Sequence, residues 1–143
     1  PGTIASERTN SLIQENRKSD QNIMMLSCPG LADVIEDSIS RSKTEELAGL
    51  TFDELVKIVG QNSNKIDSQI GMLLDNVDTT NFDAVVLVCT HYVLIREKIA
   101  SFFPNAQIID GNVGISRQTK KILAENNLLS RREQPGKVEH LYS

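Results

Sequence analysis

Cys89, Thr90 and His91 set a thiol, a hydroxyl and an imidazole side by side, directly after the apolar run Ala84-Val85-Val86-Leu87-Val88. Thiol and imidazole together suit proton transfer near neutrality. An ordinary thiol has a pKa of about 8.5, so a modest shift makes it a working acid or base. Free N–H groups and the dipole at a helix N-terminus favour the thiolate, and so does a neighbouring imidazolium. Each residue also has a plainer use. Cys89 fits a small buried hydrophobe, Thr90 a helix N-cap, and His91 a hydrogen-bonded structural histidine. Their coincidence at one strand tip favours a functional role, but adjacency alone does not specify the reaction.

These residues need elements to hold them. Residues 84–88 are small or branched and uninterrupted, the pattern of a parallel strand covered on both faces. A helix is expected from Leu94 to Phe102. Gln107-Ile108-Ile109 forms a second short strand ended by Asp110-Gly111, and a further helix runs from Ile115 to about Asn126. Upstream, Thr3 suits the N-cap of a first helix that continues through Ile13, and Asn22 to Leu26 has strand length. Pro29-Gly30 breaks that run, and Leu31, Val34 and Ile35 follow at helical spacing. Ser38 to Gly49 is polar, a surface loop or ragged helix. Thr51 with Glu54 three residues later has the form of a capping box ahead of Leu55, Ile58 and Val59. Gly60 is expected to end that helix. Another begins near Ser63 or Asn64 with Ile66, Ile70, Leu73, Leu74 and Val77 on one face. Strands alternating with helices imply an α/β fold with a mainly parallel sheet flanked by helices. In such sheets ligands bind beyond the carboxyl ends of the strands, where Cys89, Thr90 and His91 fall.

Composition narrows the function. The 143 residues suit one domain, and the formal net charge is -4. With two Tyr, four Phe, no Trp and no Lys/Arg cluster, the chain lacks the basic, aromatic face that nucleic-acid binding requires. No apolar run approaches the roughly 20 residues that span a bilayer, and the N-terminus lacks a secretory signal. Cys28 and Cys89 lie far apart, which fits reduced cytoplasmic thiols better than a disulfide framework. The chain opens on Pro1, as expected of a processed or truncated product.

Four stretches, in order, resemble the cofactor-independent aspartate/glutamate racemase family, and its glutamate-specific members most. Cys89-Thr90-His91-Tyr92 is similar to the family's C-terminal Gly-Cys-Thr-His-Tyr-Pro motif. Pro1-Gly2-Thr3-Ile4-Ala5-Ser6 resembles a Pro-Gly-Thr-x-x-Ser segment. Cys28-Pro29 with Glu36 eight positions on resembles a Cys-Pro segment, and Ile109-Asp110-Gly111 an Asp-Ser/Gly turn. The resemblance reaches to about Leu128. It implies one racemase-type domain over residues 1–129, incomplete relative to the two-domain family enzyme, with a mobile tail over 130–143. It also implies inversion of glutamate by two cysteines on opposite faces of the α-carbon, with no metal and no other cofactor. In bacteria that activity supplies D-glutamate for peptidoglycan. Cys89 would be one of the two acid/base residues, His91 would assist it and hold substrate, and Thr90 would bind substrate. Thr3 is a weaker substrate contact. Glu36 would tune His91 or the ammonium group, although it reads equally well as a surface carboxylate. Cys28 reads as structural.

The departures from the family are Val88 for the usual Gly and Val93 for the usual Pro. A valine Cβ branch at 88 would crowd a close backbone approach, and Val93 would leave the turn less rigid. The second catalytic cysteine's motif and an Asp-Ser-Gly substrate stretch do not occur. The chain is therefore expected to need a missing N-terminal domain as partner and to be inactive alone. Apolar surface left bare by that domain would favour self-association as a homodimer. Three other readings stand beside this one. They are a racemase of aspartate or another amino or hydantoin acid, a Cys/His hydrolase or transferase, and a degenerate, non-catalytic α/β binding domain.

Overall fold

The computed structural model describes residues 6–41 and 50–130. Ser6 starts the first helix, α1 (Glu7–Asn16), its Oγ accepting from the Thr9 amide at 3.2 Å. The expected cap, Thr3, lies outside the described residues, and the helix runs three residues past Ile13. Its polar sequence buries nothing. Residues 22–26, expected as a strand, run without strand pairing, and Ile23, Met24 and Met25 are exposed. Apolar β-formers need a neighbouring strand to satisfy their amides, and none lies beside them among the described residues.

Four helices form the packed layer. Gly30, at φ +77, makes the turn into α2 (Leu31–Arg41), a backbone region closed to most side chains. Leu31 and Ile35 are buried, as their spacing requires. The helix takes in Ser38–Arg41 of the stretch expected as a loop or ragged helix. Ser38 is buried there because its Oγ donates to the Val34 carbonyl at 2.8 Å. Residues 42–49 lie outside the described ones.

The capping box forms as expected at the start of α3 (Phe52–Gln61). Glu54 N–H donates to Thr51 Oγ1 at 3.3 Å, and Thr51 N–H donates to Glu54 Oε2 at 2.7 Å. This helix passes Gly60 by one residue. Asn62 then separates it from α4 (Ser63–Leu73), whose Ile66 and Ile70 are buried. Lys98, on the fourth of these helices, holds α4 by donating to Asp67 Oδ1 at 2.9 Å and to Ser63 Oγ.

The sheet has two parallel strands, β1 (Ala84–Leu87) and β2 (Gln107–Asp110), in register Val85 to Ile108 and Val86 to Ile109. The crossover is a 3-10 segment (Thr90–Ile95) followed by α5 (Arg96–Phe102). The helix expected from Leu94 thus starts two residues later. Leu87 and Ile108 face the helices with Ile95, Ile99 and Phe103, and Phe103 meets Phe82 edge-on at 5.6 Å between ring centroids.

The expectation of a strand covered on both faces is corrected. Val86 is 61% exposed, Val88 60% and Ile109 40%. All the packed helices lie on the Leu87–Ile108 side, so the opposite apolar face is bare. Finally, α6 (Asn112–Glu125) starts three residues before Ile115. Asp110 Oδ1 accepts from the Asn112 amide at 3.0 Å, and the helix ends with Asn127 at φ 57. There the Leu128 amide bonds the Leu123 carbonyl at 2.8 Å, a left-handed helix stop. Like α1, this helix buries none of its residues. Among the described residues no helix is long and apolar enough to cross a membrane.

Candidate active site

Where β1 ends, the backbone turns directly into the 3-10 segment, with Cys89 at its N-cap position. This carries Thr90 to the exposed surface and leaves Cys89 and His91 half-buried. Cys89 Sγ lies 3.6 Å from His91 Nδ1, and His91 Nε2 lies 2.8 Å from Glu36 Oε1 on α2. Imidazole geometry makes these two contacts complementary. A carboxylate accepting from Nε2–H fixes the proton on that nitrogen, so the Nδ1 lone pair faces the thiol. The result is a line of thiol, imidazole and carboxylate assembled from two segments more than fifty residues apart in sequence.

The Glu36 side chain is 59% exposed and that of His91 33%. The pair is therefore well screened by solvent and modest in strength. It can orient His91 and bias its tautomer. The site stands open, beside the bare Val88 edge of the sheet.

The second thiol, Cys28, lies in a turn that meets the same segment through Tyr92. The Cys28-Pro29-Gly30 turn is pinned from two sides. Gln69 on α4 donates to the Pro29 carbonyl at 3.0 Å, and the Tyr92 hydroxyl donates to the Cys28 carbonyl at 3.3 Å. The Tyr92 amide in turn donates to the Cys89 carbonyl at 3.2 Å, so one residue ties both cysteine turns together. Burial pushes the Cys28 thiol up from its ordinary pKa, against the lowering bond from Tyr92, and the charge of Cys89 adds to the rise. Burial likewise pushes the Tyr92 phenol up to about 12, reinforced by the charges of Cys28 and then Cys89.

Of the sequence candidates, Cys89, His91 and Glu36 come together, and Thr90 borders them. Thr3 lies outside the described residues. The Tyr92 bridge had no signal in the sequence beyond a motif match, because its partner is 64 residues away. Sequence reasoning also missed Arg96, which no motif or periodicity marks. It donates to Asp110 Oδ2 and to the Ile108 carbonyl, both at 2.8 Å, and so anchors the end of β2.

A cleft of about 590 Å³ lies elsewhere, lined by Phe52, Val56, Val93, Arg96, Asp110 and Val113 among others. It holds none of Cys89, His91 and Glu36. Val93, which stands at the family's proline position, faces this cleft. Among the described residues no three His, Cys, Asp or Glu side chains gather as metal ligands.

Comparison with curated proteins finds similarity over the length of the chain. A glutamate racemase of Clostridium acetobutylicum is 27% identical over 143 residues, 100% of this chain and 47% of the relative. One from Herpetosiphon aurantiacus is 31% identical over 142 residues, 99% of this chain and 47% of the relative. Along its whole length the chain is similar to glutamate racemases. A third, from Clostridium kluyveri, is 29% identical over 140 residues, 97% of the chain and 46% of the relative. The chain thus spans about half the length of the curated glutamate racemases it matches. No protein-family model matches it, and no solved structure does.

Proposed function

We propose that this chain is the C-terminal half of a glutamate racemase, carrying one of the two thiols that exchange the α-proton. The observation that carries the reading is the Cys89–His91–Glu36 line, in a chain that glutamate racemases match from end to end. The α-hydrogen of an amino acid is a very weak acid. Its removal without a cofactor calls for a positioned base and for donors that stabilise the developing charge. Cys89 is the base or acid on one face of the α-carbon. His91 relays the proton at Sγ and contacts substrate, and Glu36 orients the imidazole. Thr90 binds substrate through its N–H or hydroxyl, and Thr3 is a further, weaker candidate for substrate binding. The opposite thiol comes from an N-terminal half that covers the open side of the site. Residues 1–129 are the racemase domain and 130–143 a tail. The reaction serves peptidoglycan precursor supply in the cytoplasm and uses neither metal nor organic cofactor.

The test follows the optical activity of L-glutamate by circular dichroism, with the chain alone and with the longer polypeptide that carries it at family length. The longer form should racemise glutamate, the chain alone should not, and Cys89→Ala should abolish the activity. Inversion by the isolated chain would refute the half-site reading. A longer form that binds glutamate and never inverts it would point to the degenerate-domain reading, with Val88 and Val93 the residues to revert.

A further inference from the structure

Proton exchange at an α-carbon needs a second acid on the opposite face of the substrate, and this chain supplies one thiol for it. The Cys89–His91–Glu36 line is complete for a different chemistry. Its nucleophile, its base and the carboxylate that orients the base all belong to this chain, with Sγ 3.6 Å from Nδ1 and Nε2 2.8 Å from Glu36 Oε1. A thiol, an imidazole and a carboxylate in that order activate a nucleophile for attack on a carbonyl carbon and then protonate the leaving group. The site is reachable, because Cys89 and His91 are half-buried and Val88 beside them is bare. Cys89 is also a free thiol. The other free thiol, Cys28, is bonded to the Leu26 carbonyl at 3.8 Å rather than to an imidazole, and so lacks the base.

We propose that this chain hydrolyses activated acyl esters of small carboxylic acids, with Cys89 as nucleophile, His91 as general base and acid, and Glu36 as the residue that positions the imidazole. In the first step the Cys89 sulfur attacks the ester carbonyl while His91 Nδ1 takes its proton. The S–C bond forms, the C–O bond to the alcohol breaks, and His91 passes the proton to the departing oxygen. Cys89 is then an acyl thioester, and Nδ1 is free to act on water. In the second step water adds to the thioester carbonyl and gives one proton to Nδ1. The S–C bond breaks, and the proton returns from Nδ1 to the sulfur. Ester and water become acid and alcohol, with no oxidant or reductant. Glu36 keeps the Nε2 proton in place through both steps, so that Nδ1 presents its lone pair each time. None of this depends on the racemase reading, because acyl transfer needs one thiol and no opposite acid.

The experiment incubates the whole chain with excess p-nitrophenyl acetate, follows nitrophenolate by absorbance and locates the acetyl group by peptide mass spectrometry. Nitrophenolate should be released well beyond the number of thiols present, with acetyl-Cys89 as the trapped intermediate, and urea-unfolded chain should stop once its thiols are acetylated. Cys89→Ala should abolish turnover. His91→Ala should acetylate slowly and then hold the acetyl group, its turnover down by at least about a hundredfold. Glu36→Ala should slow turnover by about 1.4- to 5-fold. Glu36→Gln should recover it, because the amide oxygen still accepts from Nε2–H; a glutamine variant as slow as the alanine one would remove Glu36 from the scheme. Two results would overturn the proposal. One is release by the wild-type chain that stops when its thiols are acetylated, the mark of a thiol that reacts without turning over. The other is turnover that survives Cys89→Ala. The first is read on the wild-type chain alone, so it decides the matter even if a variant does not fold.

Discussion

Removing the Glu36 carboxylate tests whether the thiol–imidazole–carboxylate line works as a unit. Glu36 sits on the exposed side of α2, where alanine is a good helix former, so Glu36→Ala leaves the fold intact. The substitution removes one hydrogen bond of 2.8 Å between side chains 33% and 59% exposed. Pairs this open to solvent contribute about 0.2–1 kcal/mol. At room temperature that converts to about 1.4- to 5-fold in the population of the imidazole arrangement that faces its Nδ1 to Cys89. The reaction of Cys89 with iodoacetamide near neutral pH should therefore slow by about that factor. His91→Ala removes the proton acceptor itself and should slow it by more than about tenfold. Peptide-resolved mass spectrometry reads the two cysteines separately, and Cys28 should hold its rate in the Glu36 variant. A Glu36→Ala effect as large as that of His91→Ala would show that the screened pair has been underestimated. No effect at all would show that the carboxylate does not orient the ring.

Four further outcomes are expected. Thr51→Ala removes the hydroxyl arm of the capping box on α3 while the residue-51 amide can still donate to Glu54, and should cost about 1 kcal/mol in urea denaturation; an unchanged midpoint would mean that α3 needs no side-chain cap. Ile66→Ala, at a fully buried position, should cost about 2–5 kcal/mol in the same assay. Val86→Thr on the bare face should stay within about 0.5 kcal/mol in the isolated chain, and a large destabilisation there would mean that the face is covered. Tyr92 should ionise near pH 12, seen as a late tyrosinate absorbance step that Tyr92→Phe removes. Because the folded state holds that proton above the ordinary phenol value of about 10, its contribution to stability is complete below about pH 10. That contribution should disappear as the pH rises toward 12, and alkaline stability that is flat across that window would contradict it.

The parts legible in sequence were those governed by local rules. The Thr51–Glu54 box, the spacing of Leu31 and Ile35, and the branched run at 84–87 each encode their element within a few residues. The readings that failed needed a neighbour that the sequence window does not contain. Residues 22–26 have strand composition, but a strand exists only with a partner to bond. Residues 84–88 look like a strand buried on both faces, yet Val86 and Val88 are bare because every packed helix lies on one side. Both misses point the same way. A sequence shaped for two-sided burial meets a structure covered on one side, and the curated relatives are about twice as long.

The candidate site divides along the same line. Cys89 and His91 are two residues apart, and their apposition could be read from the strand-to-turn transition. Glu36 rested on resemblance, and only the packing of α2 against the 3-10 segment brings it to His91. Tyr92 was invisible as a bridge, because a hydrogen bond to a carbonyl 64 residues away leaves no trace in composition or periodicity. What the fold adds to the motif is the environment of the Cys89 thiol: an imidazole nitrogen at 3.6 Å, a carboxylate behind that ring, and the bare valine edge beside it. The alkylation rate of Cys89 therefore reads an environment created by the packing of α2 against the 3-10 segment, which the motif alone does not encode.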